Sequence, residues 1–266
     1  MSLVVAVVAV ACDDDQPGAG HDGEISWSDC DDGFECGSLQ VPRDYDNPRS
    51  GTITVALIRH PATDPAGRIG SLLVNPGGPG ASGVHFVRGA TDLLPEELRV
   101  RFDIVGFDPR GTGATLPIEC DFDLDDVFAL DTSPDDEDER AELEETFAAL
   151  AAACDERSGA DLAAVSSQDT VRDMYRIRAA LGDDKLTYLG YSYGSYLGAL
   201  YADQFPQLVR SMLLDGAVDP SLEPAESAVE QAVGFERALN AFLADCAETT
   251  IARSIRMVIR RRRSTT

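Results

Sequence analysis

Residues 186–215, LTYLGYSYGSYLGALYADQFPQLVRSMLLD, decide the reading of this chain. Leu186 to Gly190 is a short apolar run that reads as a strand. Ser195 to Phe205 reads as a helix stopped at Pro206, and Ser211 to Asp215 as the next strand. Between the first strand and the helix stands Gly190-Tyr191-Ser192-Tyr193-Gly194. A serine with glycine two positions to either side, entered by a strand and left by a helix, fits a sharp strand-to-helix turn. Such a turn strains the serine backbone and lifts its oxygen above the carboxyl edge of a sheet. It also sets the oxygen near a helix N-terminus, which favours developing negative charge. Ser192 is therefore the candidate nucleophile.

Working outward, Asp169 or Thr170 can cap a helix that runs to Leu181, with Val171, Met174, Ile177 and Leu181 on one face. Gly182 follows as its stop. Ser71 to Asn75 and Phe102 to Phe107 are short apolar runs, each ended by a Pro/Gly cluster, as expected of buried parallel strands. Thr52 to Arg59 is rich in β-branched residues, and Leu39 to Val41 offers a short first strand. Strands alternating with helices imply an α/β fold with a mostly parallel, doubly wound sheet. From about Asp121 to Ala164 the chain makes an acidic, Ala-rich excursion, read as a surface helix behind a Ser133-Pro134 cap.

A second motif, Asn75-Pro76-Gly77-Gly78-Pro79-Gly80, directly follows a strand. Acyl transfer develops an oxyanion that needs preorganised N–H donors. One donor would be the amide after the nucleophile, that of Tyr193, and the other would come from this loop. Pro79 has no N–H, so Gly78 is the first choice and Gly77 the second. A simple tight turn is the bland alternative. A phosphate loop is disfavoured because neither GK[ST] nor GxGxxG occurs here.

Three stretches, LLVNPGGPGASG, RFDIVGFDPRGTG and YLGYSYGSYLGALYADQFP followed by LLDGAVDP, resemble the actinobacterial tripeptidyl-aminopeptidase family. These are α/β-hydrolases related to proline iminopeptidases, and the resemblance runs from about Ile25 to Cys246. It implies a secreted serine exopeptidase that removes short peptides from free N-termini and uses no cofactor, with peptide as substrate. The family's serine falls on Ser192 and its oxyanion loop on Gly77-Gly78. Proline iminopeptidases usually open that loop with His-Gly-Gly-Pro-Gly, so Asn-Pro-Gly-Gly-Pro-Gly leans towards the tripeptidyl branch.

The chain departs from the pattern in its histidines. A serine hydroxyl needs a histidine base oriented by an acid, and in this fold the order is Ser, acid, His. His21, His60 and His85 all precede Ser192 and read as surface or packing residues. Asp215 and Asp219 follow it but read as turn or cap residues. The triad acid and histidine are thus expected not to be present in this chain, along with the strands that carry them in the family. Two other readings remain open: an esterase or lipase using the same turn, and an inactive fragment or binding module without turnover.

The surface chemistry narrows the partners. The net charge is −25, with 47 acidic against 22 basic residues, so nucleic acid is excluded as a partner. Residues 1–12, MSLVVAVVAVAC, resemble an export signal too short to span a bilayer, and Cys12 sits where a lipoprotein would be lipidated. Secretion and envelope anchoring through Cys12 are the two expectations. Residues 13–24 read as a flexible tether, 25–222 as the hydrolase core and 223–250 as the first helix of a cap. Residues 251–266, IARSIRMVIRRRRSTT, carry six Arg and no acid. This break is read as a frameshift near Thr250, against a membrane-binding basic tail as the alternative.

Six cysteines without a CxxC pair, and with few histidines, argue against zinc. Export would oxidise them. Local pairing joins Cys30 to Cys36 and Cys120 to Cys154, one of three pairings that these four allow. Cys246 lies outside both; in the family its partner would lie further downstream.

Overall fold

The computed structural model describes residues 23–248. The chain divides into two units, residues 1–215 and 216–266. In the first, the elements run β1 (Ser26–Asp29), β2 (Glu35–Pro42), β3 (Thr52–His60), β4 (Gly70–Asn75), α1 (Gly83–Ala90), α2 (Glu96–Arg101) and β5 (Phe102–Phe107). There follow α3 (Leu124–Phe128), α4 (Glu137–Leu162), α5 (Ser167–Ala180), β6 (Leu186–Tyr191), α6 (Tyr193–Gln204) and β7 (Val209–Asp215). The second unit contributes α7 (Pro224–Glu248), whose Val229, Val233, Leu239, Phe242 and Leu243 are exposed.

The strands form one sheet in the order β1-β2-β3-β5-β4-β6-β7. β5, β4, β6 and β7 are mutually parallel, whereas β1, β2, β3 and β5 pair antiparallel in succession. The expected parallel half is there, fronted by an antiparallel meander. Every residue of β4 and β5 is buried, the mark of strands covered on both faces. Alternate side chains go to opposite faces. Leu73, Val105, Phe107 and Tyr188 pack with Val171, Met174 and Ile177 of α5 and Leu197 and Tyr201 of α6. Leu72, Val74, Ile104 and Leu189 pack with Val87 of α1 on the other face. Helices on both faces of a parallel sheet make the doubly wound arrangement.

Two caps differ from expectation. α5 is capped by Ser166, whose Oγ accepts the Asp169 N–H at 3.0 Å, so the helix starts a few residues before Asp169. α4 is capped by Asp136, whose carboxylate accepts from Asp138 N and Glu139 N, and not by Ser133-Pro134. Asp adds its charge to the favourable helix dipole at that end. α4 is a surface helix in which only Ser158 is buried. The excursion is pinned to itself by Cys120–Cys154, and the β1–β2 turn by Cys30–Cys36. Both pairs are those that sequence proximity favours; Cys246 lies outside them.

One buried ion pair ties the frame together. Arg110, in the loop after β5, donates from Nε and Nη2 to Asp173 of α5 at 2.6 and 2.9 Å. Its remaining donors reach the carbonyls of Pro42 (2.6 Å), Arg43 (2.7 Å) and Ala164 (3.2 Å). Tyr45 Oη donates to Asp173 at 2.7 Å and its ring lies under the guanidinium. All five N–H groups of a fully buried guanidinium are thus used, which is what makes its burial tolerable.

Candidate active site

At the carboxyl end of β6 the chain turns sharply into α6 through Ser192. Ser192 has φ 51° and ψ −120°, a conformation that costs a residue with a side chain about 1–3 kcal/mol. Its N–H donates to the carbonyl of Asp215 at 2.8 Å, which locks the turn to the end of β7. Its carbonyl accepts from Ser195 N at 2.8 Å and Ser195 Oγ at 2.6 Å. The Ser192 side chain forms no cap hydrogen bond to α6, and the residue is exposed. Hydroxyl and backbone are therefore decoupled: the backbone is fixed and the hydroxyl is presented.

Gly194 is required by space. A Cβ there would stand 2.6 Å from the Asn75 carbonyl oxygen, because β4 passes directly against the first turn of α6. The Gly194 carbonyl in turn accepts from buried Tyr188 Oη at 2.8 Å.

The Gly-rich loop after β4 meets the same spot. Gly77 has φ 87°, and a Cβ on it would run into the Tyr191 carbonyl and stand 2.9 Å from Tyr193 N and 3.1 Å from Ser192 Cβ. The loop therefore lies against the turn at the point where Tyr193, first residue of α6, carries an N–H with no acceptor inside its own helix. Gly77 N donates to Asn75 Oδ1 at 2.9 Å, so this amide is already used within the loop. The far end of the loop is held by Asp108, at the end of β5. Asp108 Oδ1 accepts from Ser82 Oγ at 2.6 Å and Val84 N at 3.1 Å, and Oδ2 accepts from Ala114 N at 2.9 Å. Asn75 is 1% exposed, yet its Nδ2 finds no acceptor, a desolvation cost of about 1–3 kcal/mol.

His21 lies outside the described residues. His60 ends β3 opposite Ile104, towards the amino end of the parallel strands, and its ring packs edge-on against Phe34. Three strand spacings separate β3 from β6, about 14 Å. His85 is an exposed residue in the first turn of α1, and its backbone N–H donates to Ser82 Oγ at 3.0 Å. Neither ring hydrogen-bonds Ser192. Asp219 is a turn residue: its carboxylate accepts from Ser221 N and Oγ at 2.8 and 2.7 Å, bonds that lower its pKa. Asp215 stands in register with Tyr191, whose phenol is raised by burial and then by the Asp215 charge. Beside it, Phe86 of α1 packs on the Tyr191 ring at 5.7 Å. Among the described residues no cluster of His, Cys, Asp and Glu could hold a metal, and no helix is long and apolar enough to cross a membrane.

Several of these supports left little trace in the sequence. Asn75 and Asp108 stand inside the quoted motifs, but only the fold shows that they hold the two ends of the loop. Ser167, whose Oγ lies 2.6 Å from Tyr193 Oη, carried no signal at all.

Comparison with known proteins agrees with this geometry. The family model described as alpha/beta hydrolase fold matches residues 70–261. The chain is 47% identical over 220 residues to Serine protease Hip1 of Mycobacterium bovis, covering 81% of this chain and 42% of that protein. It is 39% identical over 225 residues to Tripeptidyl aminopeptidase of Streptomyces lividans, covering 80% and 42%. It is 38% identical over 268 residues to Carboxylesterase B of Mycobacterium tuberculosis, covering 93% and 51%. The chain thus spans about two fifths to one half of the length of these relatives.

Proposed function

The chain belongs to the α/β-hydrolase fold family, and from that premise we propose that it carries the nucleophile and oxyanion donors of a serine hydrolase. Ser192 is the nucleophile, and the amides of Gly78 and Tyr193 receive the oxyanion, with Gly77 shaping the loop. The observation that carries this reading is the Ser192 backbone, held at φ 51° and ψ −120° between strand and helix with its hydroxyl unused by the fold. Strain of this kind needs a reason beyond packing.

The chemistry follows from those positions. Ser192 Oγ attacks the substrate carbonyl carbon, its proton passing to a general base, and the carbonyl π pair moves onto oxygen. The two amides and the positive end of α6 stabilise that oxyanion. Its collapse expels the leaving amine or alcohol, which takes the proton held by the base, and leaves an acyl group on Ser192, which water then removes. Neither His60 nor His85 serves as the base, and the acid is neither Asp215 nor Asp219. No cofactor takes part.

We place the substrate among peptides with a free N-terminus, the reading supported by similarity to a tripeptidyl aminopeptidase and a serine protease. Two disulfides support an oxidising, extracellular location. Anchoring through Cys12 concerns a residue outside those described. A second reading, ester hydrolysis at the same serine, is favoured by the similarity to Carboxylesterase B.

Boronic acids test these alternatives, because boron takes up the serine oxygen to give a tetrahedral adduct that mimics the intermediate. A tripeptidyl boronic acid with a free amine should add to Ser192 more tightly than its N-acetyl form. Equal affinity would remove the exopeptidase reading. Tighter binding of a simple alkylboronic acid than of either peptide would favour the esterase.

A further inference from the structure

We propose that Asn75 is a positioning residue of this site: its carboxamide sets the spacing between the Gly78 and Tyr193 amides. The inference rests on reading those amides as the oxyanion donors. Asn75 is the last residue of β4 and pairs in register with Gly190, where the turn to Ser192 begins. Its Oδ1 accepts the Gly77 N–H at 2.9 Å. That bond occupies the Gly77 amide and, on this reading, leaves the following amide, that of Gly78, to serve as donor.

The same carboxamide also abuts the other half of the site. A Cβ on Gly194 would stand 2.9 Å from Asn75 Oδ1, so the Tyr193–Gly194 segment lies directly on it. One buried side chain therefore touches both segments that hold the proposed donors. Oxyanion stabilisation depends on donors fixed before the charge forms, and misplacement by about 1 Å is costly. The residues before Asn75 in β4 are Leu72, Leu73 and Val74, and an apolar residue would satisfy packing alone. A buried carboxamide whose Nδ2 has no partner is not what packing calls for.

Asn75→Leu and Asn75→Asp separate the roles in the ¹⁵N-labelled 266-residue chain. Asn75→Leu removes the acceptor. Gly77 N–H exchange should quicken by about tenfold or more, and the Gly78 and Tyr193 amide signals should both move. Asn75→Asp keeps an acceptor and adds a titratable group. Gly77 should stay protected, while the Gly78 and Tyr193 signals both follow the new carboxyl as pH is raised. Movement of Gly77 alone in either variant would overturn the proposal, and if Asn75→Leu does not fold the titration of Asn75→Asp decides. Propylboronic acid supplies the independent arm: its affinity for Asn75→Asp should fall about tenfold as the introduced carboxyl ionises beside the donors. If it does not add to the wild-type chain even at alkaline pH, where hydroxide can take the serine proton, the Ser192 reading fails, while the amide signals still decide the role of Asn75.

Discussion

The hydroxyls of Tyr193 and Ser167 lie 2.6 Å apart. The contact joins the first residue of α6 to the first residue of α5, and Tyr193 stacks on Tyr196 at 5.4 Å on the same helix. The side chain that follows Ser192 is thereby fixed at its tip as well as at its backbone. Tyr193→Phe and Ser167→Ala should each lower stability by about 0.5–1.5 kcal/mol. The double variant should lose no more than either single one, since removing both partners leaves no orphaned hydroxyl. Denaturant unfolding of the four proteins checks this, and additive losses would contradict it.

Arg110 and Asp173 present a different balance. Their charges are buried, and every donor of the guanidinium is used. Removing one partner strands the other charge in the core. Asp173→Ala should therefore cost about 3–5 kcal/mol, read from the shift in denaturant midpoint. A loss below about 1 kcal/mol would mean that water reaches the pair.

Buried phenols give the chain an alkaline limit. Burial pushes Tyr201 up to about 12 and also raises Tyr45 and Tyr188. The folded chain thus holds protons that the unfolded chain releases above pH about 10. The stabilisation linked to these groups is complete below that pH and is lost as pH climbs through the folded values. Stability should be flat with respect to these groups from about pH 8 to 10 and then fall. Phenolate absorbance from these three should rise only together with unfolding. Their ionisation in the still folded chain would refute the burial.

The Cys120–Cys154 bridge closes a loop across the acidic excursion, with a sequence separation of 34. Chain-entropy arguments assign such a loop roughly 3–4 kcal/mol. The double replacement Cys120→Ser and Cys154→Ser should lower stability by that order while leaving the β-sheet intact by circular dichroism. Peptide mapping without reductant should recover Cys30 joined to Cys36. Finding Cys30 joined to Cys120 would contradict the pairing.

The parts of the fold that could be read from sequence are those where one residue type has one job. The strands Phe102–Phe107 and Gly70–Asn75 are buried on both faces, so their centres, Ile104 and Val105 in one and Leu72, Leu73 and Val74 in the other, are apolar and stand out in the chain. Gly190 and Gly194 flank Ser192 because nothing larger fits, and that spacing survives in one dimension. β1, Ser26–Asp29, was not legible because a short polar edge strand is defined by its partner β2 and not by its own residues. α1 lies hidden behind the Gly-rich loop, where Ser82 had no obvious capping role until its Oγ met His85 N and Asp108. The same holds for Asn75, Arg110 and Asp173, whose partners are mostly distant in the chain. Interactions of high sequence separation leave no local pattern to read.

Covalent labelling of the 266-residue chain with a fluorophosphonate, mapped by mass spectrometry, tests the central claim most directly. The adduct should form on Ser192 alone and vanish in Ser192→Ala. Its rate should lie far below that of a complete triad, a deficit on the order of 10⁶, because neither His60 nor His85, the histidines among the described residues, hydrogen-bonds the hydroxyl. An adduct on another serine would contradict Ser192 as the nucleophile. Fast labelling that is lost in His85→Ala would show instead that this chain holds its own base.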